Sequence, residues 1–276
     1  MGRQPLAEVF GYPIDNMEAV AQDTRANCTC PFGNIVPECT KDKKNNPLGV
    51  CSIFGVDAQP IITCPIRFRE GGIIASQAAS FFFPPGANWQ TLWEVRLNDA
   101  EGKSAGNIDM VLVSLDSKGK ITDFGGVEIQ AVYISGNVRK PFTHYMKDPP
   151  ANCKMDWSGK PDYPRADYLS SSRKRLAPQL LFKGAILRSW QKKTAVVLNT
   201  GFFETLPDLE EVEEKKAEVA WLIYDLVLEV KTGTFKLTHK KSVFTKFSES
   251  LAKITESKPG NVEQFLQSLN KKLKKK

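Results

Sequence analysis

The chain has 276 residues, of which 41% are hydrophobic and 25% charged, with a net charge of +7. That is a globular composition, long enough for one large domain or two small ones around a substantial core. No stretch is long and clean enough to span a membrane, since the best, 219–230, is short and carries Asp225 and Glu229. The first residues lack the apolar centre of a signal peptide, so a cytoplasmic protein with no membrane partner is expected.

In chain order, residues 1–26 read as an entry segment with one amphipathic stretch near 17–21. Residues 27–66 are rich in Cys, Pro, Asn and Gly and lack apolar periodicity, so they need an outside agent to order them. Residues 75–83 are apolar and expected inside. Trp93, Val95 and Leu97 alternate with Glu94 and Arg96 as in a strand, although a helix from Asn88 fits almost as well. A hairpin is expected over 108–134. A long loop follows at Pro149 to Pro164, then a helix from about Ser170 to Gln191, broken or bent at Pro178. Residues 194–199 form a β-branched strand, 207–217 an acidic, helix-prone segment, and 220–230 with 234–238 a hairpin turning at Gly233. Two amphipathic helices, 244–254 and 262–273, precede a lysine tail.

The charge is uneven. Between Arg139 and Lys193 stand thirteen Lys and Arg against four acids. Such a surface suits a phosphate backbone. Arg173, Lys174 and Arg175 open the expected helix and are candidates for phosphate contacts or for guanine readout, with Gln179 and Lys183 further along it.

Just upstream of this basic stretch lie two acids. Asp109 opens an apolar strand, a turn at Gly119 follows, and a second strand carries Val127-Glu128-Ile129-Gln130. Alternation puts Glu128 and Gln130 on one face and Val127 and Ile129 on the core face. If the strands pair, Asp109 sits beside Glu128, and converging hard oxygens hold Mg²⁺ for phosphodiester hydrolysis. The plain alternative is a β-hairpin with two exposed acids.

This layout resembles the PD-(D/E)XK nuclease core, with Gln130 in place of its lysine; a neutral amide orients water but brings no charge. Further words stand in Cys30-Pro31-Phe32-Gly33, Cys39, Cys51, Cys64-Pro65-Ile66-Arg67-Phe68 and Ser170-Ser171-Ser172-Arg173-Lys174-Arg175-Leu176-Ala177-Pro178-Gln179. Together they resemble the NotI family of type II restriction endonucleases over residues 25–205. The resemblance implies an α/β (α+β) fold: a restriction-endonuclease-like core of mixed β-sheet flanked by helices, behind an N-terminal segment that binds a metal through four cysteines. The expected division is 1–66, the cysteine segment; 67–205, the nuclease core; and 206–276, a C-terminal hairpin and helices.

The resemblance also implies roles. Asp109 and Glu128 ligate Mg²⁺ directly with the Ile129 carbonyl, Gln130 positions the water, and Glu94 is a candidate outer acid; its plain alternative is a surface acid paired to Arg96. Cys30, Cys39, Cys51 and Cys64 are spaced unlike paired zinc-finger ligands, yet four thiolates make a tetrahedral site. Chemistry favours zinc there and the resemblance implies a structural iron. Cys28 is an alternative to Cys30, whose Pro-Phe successor matches the family words. Cys153 reads as a lone loop or core residue. The expected activity is Mg²⁺-dependent cleavage of double-stranded DNA at a specific, palindromic site by a homodimer, with a companion DNA methyltransferase. The alternatives are a structure-specific or repair nuclease on the same core, and an inactive metal-stabilised DNA-binding module.

Overall fold

The computed structural model describes residues 4–43 and 45–274. Its first element is a strand, β1 (Leu6–Val9), whose four residues are all buried. β2 (Tyr12–Pro13) turns back on it, α1 (Ala19–Ala26) follows, and β3 (Val50–Phe54) and β4 (Pro60–Ile62) complete a sheet of order β2-β1-β3-β4. Residues 6–26 are therefore a structural part of the fold rather than an entry segment. Gly11 makes the tight turn between β1 and β2: its φ is +86°, and a Cβ there would meet Pro31 Cγ at 2.3 Å.

A buried ion pair ties this small sheet to the rest. Glu8 on β1 accepts from Ser52 Oγ (2.8 Å) and from Arg67 Nε (3.1 Å), with both charged side chains fully buried. Arg67 also reaches Glu70 at 2.6 Å and the Phe235 carbonyl at 2.8 Å, and its guanidinium lies 4.1 Å from the Phe32 ring centre. Burial pushes the Glu8 carboxyl upward against the pull of Arg67.

The main body contains α2 (Ile73–Phe82), β5 (Asn88–Asn98), β6 (Ser104–Leu115), β7 (Ile121–Ile129), α3 (Arg139–Lys147), a helical run α4 over 168–189, β8 (Thr194–Asn199), β9 (Val219–Glu229), β10 (Thr234–Thr245), α5 (Phe247–Thr255) and α6 (Val262–Leu273). Its six strands lie in the order β10-β9-β8-β7-β6-β5. β5, β6 and β7 form an antiparallel meander, β8 runs parallel to both β7 and β9, and β10 returns antiparallel. The strands of the parallel centre read as unbroken apolar runs because helices cover both faces. On one face Phe81 and Phe82 of α2 join Val127, Ile129 and Leu222 in one cluster. On the other, Leu176 and Leu180 of α4 pack with Val196 and Leu198, and Leu187 packs with Val111 and Val113. The protein is thus a mixed α/β fold with a mixed sheet flanked by helices. The hairpin β9–β10, expected from sequence to pack on the core, completes this same sheet.

Residues 88–98 are a strand, which settles the choice left open by their sequence. The helical run begins at Tyr168, earlier than expected, because the Asp167 side chain accepts from Ser170 N at 2.9 Å as N-cap. It also passes Pro178 unbroken. Two wide turns, Ser172–Leu176 and Leu180–Gly184, flank the proline, with Ala177 N–H donating to the Ser172 carbonyl five residues back. Proline lacks the N–H and crowds the carbonyl four residues earlier, and a wider turn relieves that clash. The acidic 207–217 segment is not a helix beyond the single turn Glu214–Lys216. Its carboxylates repel at helical spacing, and the chain runs along β10 instead, through a Glu211 to Thr245 bridge and Val212 N–H to the Phe244 carbonyl (2.8 Å). Among the described residues no helix is long and apolar enough to cross a membrane.

Candidate active site

The meander sets the acids in one row. Met110 on β6 faces Val127 on β7, so the next pair outward brings Asp109 beside Glu128. The Asp109 carboxylate accepts from Ile129 N–H at 2.7 Å, which locks it against β7. On the other side Trp93 faces Met110 and Val95 faces Ile108, so Glu94 lies across from Asp109. Glu94 interrupts that ladder with φ +53°, a left-handed conformation rare for a residue with a long side chain. Its exposed carboxylate pairs with Arg69 at 3.6 Å rather than with Arg96, and Arg69 itself lies 4.1 Å from the Trp93 ring centre.

Glu128 is the buried member of the row, 2% exposed. Its Oε2 takes a bond from Lys183 Nζ at 2.5 Å, and Lys183 also donates to the Asn107 carbonyl at 2.7 Å. Its Oε1 is buried with no donor to bond it, and the Glu128 and Asp109 carboxyls are close enough to hydrogen-bond when one of them is protonated. Burial, then the neighbouring Asp109 charge, pushes the Glu128 carboxyl up to about 8 against the pull of Lys183. Burial also raises Asp109, against its bond from Ile129 and the charge of Lys183. A buried, orphaned carboxylate oxygen beside a second carboxylate is a place for a hard cation. Two carboxylates side by side are the donor type a hard cation such as Mg²⁺ takes.

Gln130 lies two residues on, on the Glu128 side of the strand, buried and hydrogen-bonded through its amide to the Gln179 side chain. The structure thus turns Gln179 and Lys183 inward, although their sequence suggests DNA contacts. Leu176, Leu180 and Leu187 fix the inner stripe of α4, and Lys183 falls on it. The spacing 176, 180, 183, 187 was the available signal: a lysine inside an apolar helical stripe is placed there for a partner. Arg173, Lys174 and Arg175 face outward, with the Arg175 guanidinium 5.1 Å from the Tyr133 ring centre.

The cysteines converge as a second feature. Cys30, Cys39, Cys51 and Cys64 all line one cavity of about 200 Å³. Burial raises the thiols of Cys30, Cys39 and Cys51, and the nearness of Cys64 adds to the rise in each. Cys28 and Cys153 lie outside this cavity, against the apolar cluster beneath β1, and bond to the carbonyls of Arg25 and Pro150. All six thiols are unpaired. Among the described residues no three or more His, Cys, Asp or Glu side chains are drawn into a closed ligand cluster, at the thiols or at the acids.

The acids thus form one row on a mixed sheet, under a helix bearing outward cations. The family model of the restriction endonuclease NotI matches residues 8–237. The chain belongs to the NotI restriction endonuclease family, whose members are site-specific endonucleases that bind double-stranded DNA. The match extends beyond the 25–205 region read from sequence words, from the second half of β1 through β9 to the start of β10. No curated protein matches the chain.

Proposed function

We propose that this protein is a Mg²⁺-dependent type II restriction endonuclease that cuts both strands of a specific, palindromic DNA sequence as a homodimer. The observation that carries the reading is the buried Glu128 beside Asp109, with Oε1 unpartnered. On this reading the six-stranded sheet with α2 and α4 is a restriction-endonuclease-like core of the PD-(D/E)XK kind, spanning 67–205 and extended by 206–276. Residues 1–66 carry a structural iron or zinc on Cys30, Cys39, Cys51 and Cys64, whose shared cavity and soft thiolates fit such an ion.

Asp109 and Glu128, with the Ile129 carbonyl, hold Mg²⁺, and Glu94 serves as the outer acid. Mg²⁺, when bound, supplies Lewis-acid activation of water and charge compensation at the phosphate. The chain's own residues do the rest. Asp109 is held in place by Ile129 N–H, so the ligand pair is preorganised. Gln130, steadied by Gln179, orients the attacking water by hydrogen bonding. Arg173, Lys174 and Arg175 meet the DNA from the outer face of α4. Two-fold symmetry lets each subunit cut one strand of a palindrome. A cytoplasmic enzyme of this kind needs a methyltransferase to protect the host genome.

Digestion of long unmethylated DNA with Mg²⁺, beside Glu128→Ala, tests the reading. Discrete fragments with the native chain and none with the variant are expected. Cutting of branched junctions alone would make the protein a structure-specific or repair nuclease. Binding without cutting would leave a metal-stabilised DNA-binding module.

A further inference from the structure

The row of acids lacks an obvious cation from its own strand, because position 130 is Gln. Yet a cation is present. Lys183, only 4% exposed, reaches from the inner stripe of α4 to Glu128 Oε2 at 2.5 Å and to the Asn107 carbonyl at 2.7 Å. Its stem passes Gly106, where a Cβ would lie 3.6 Å from Lys183 Cδ; the glycine has φ +109° and leaves the approach open. One turn earlier on the same helix, Gln179 meets Gln130. Two strand residues spaced by two, Glu128 and Gln130, thus face two helix residues spaced by four, Lys183 and Gln179. The helix covers the acid row with one charge and one amide.

We propose that Lys183 supplies from α4 the positive charge that position 130 does not bring to the strand. Resting on the nuclease reading above, it assigns two states to one ammonium. In the metal-free protein Lys183 holds Glu128 in the cation's stead. Glu128 would serve as a ligand of Mg²⁺ when the ion is present, and the Lys183 ammonium it gives up would orient the attacking water and offset charge building on the scissile phosphate. A buried Lys–Glu pair adds little to stability compared with an apolar replacement of similar volume, so folding alone gives little reason for a lysine on a leucine stripe. Lys183 is also too deeply placed to act as a phosphate-tracking surface charge.

The test compares the native chain, Lys183→Met, and the exchange variant Gln130→Lys with Lys183→Gln. Three quantities are measured: single-turnover cleavage with Mg²⁺ at saturating protein, DNA affinity and its salt dependence in EDTA, and Mn²⁺ binding without DNA by calorimetry. Lys183→Met should cut about 10²-fold or more slowly, with DNA affinity and salt slope unchanged. It should bind Mn²⁺ several-fold more tightly, because no ammonium competes for Glu128. The exchange variant should recover at least tenfold of the lost rate.

Cleavage by Lys183→Met within threefold of native would overturn the proposal. So would a rate loss matched by lost DNA affinity and a shallower salt slope, which would make Lys183 a phosphate contact. Should Lys183→Met fail to fold, the exchange variant decides: folded and active supports the assignment, folded and inactive sinks it. If the native chain cuts no DNA, the nuclease reading fails, while unchanged Mn²⁺ affinity in Lys183→Met would separately refute the competition between lysine and metal.

Discussion

Raising the pH should destabilise the metal-free protein, and a divalent cation should cancel the effect. Glu128 ionises near 4.5 when exposed and at about 8 in the fold, because burial and Asp109 disfavour its charge. The folded protein therefore keeps a proton that the unfolded chain has released. The stability this contributes is complete below pH 4.5 and is lost as pH rises through about 8. Each pH unit between those two values is worth about 1.4 kcal/mol, so the whole interval amounts to at most about 5 kcal/mol. For a chain of this size that is a fall in Tm of about 10 °C. Asp109 is shifted in the same direction and adds to the slope. The assay is thermal unfolding in EDTA from pH 5 to 8.5, repeated with Mg²⁺ and with Glu128→Gln. Mg²⁺ should flatten the curve by favouring the ionised acids, and Glu128→Gln should flatten it without metal. A Tm that stays level or climbs between pH 5 and 8 in EDTA, or an unchanged slope in Glu128→Gln, would refute the reasoning.

Arg173→Ala and Lys174→Ala should each weaken DNA binding at all sequences alike if they touch phosphates. Each should lower the slope of log K against log salt by about one; a sequence-selective loss in a filter-binding titration would instead mark base readout. Metal analysis of the purified protein should find one iron or zinc per chain, and Cys51→Ser should lose it and melt at lower temperature. Protein free of transition metal whose Tm ignores Cys51→Ser would exclude the four-cysteine site. Arg67→Met should cost about 3–5 kcal/mol in denaturant unfolding, because Glu8 is left buried without its charge partner; a loss under 1 kcal/mol would show that the pair does not anchor the small sheet.

The acid row was legible because its information is local. Strand alternation and a short hairpin fix which side chains share a face, and Asp109, Glu128 and Gln130 fall on one hairpin. The apolar face against α2 followed from the same alternation. What was not legible depends on contacts far apart in the chain. The sequence around Glu8 gives no hint that Arg67 will neutralise it, because the pair forms only when two sheets meet. Leu6–Val9 is too short to declare itself, and its burial comes from β3, more than forty residues later. The inward turn of Lys183 was written in the 176, 180, 183, 187 spacing, yet a basic neighbourhood makes any lysine look like a surface charge. The acidic 207–217 segment misled because intrinsic preference yields to backbone pairing with β10.

The unbroken passage of α4 past Pro178 has a mechanical consequence. Residues 173–175, turned to the outside, and Lys183, turned to the acids, lie on one continuous helical run, roughly 12–15 Å apart along its axis. Under the proposed function, a duplex seated askew on the outer arginines would tilt the inner lysine as well, so a poorly matched sequence would be penalised twice: in grip at the surface, and in the alignment of the groups beneath it. On that reading a glycine pair replacing Ala177 and Pro178 would loosen discrimination more than it loosens binding.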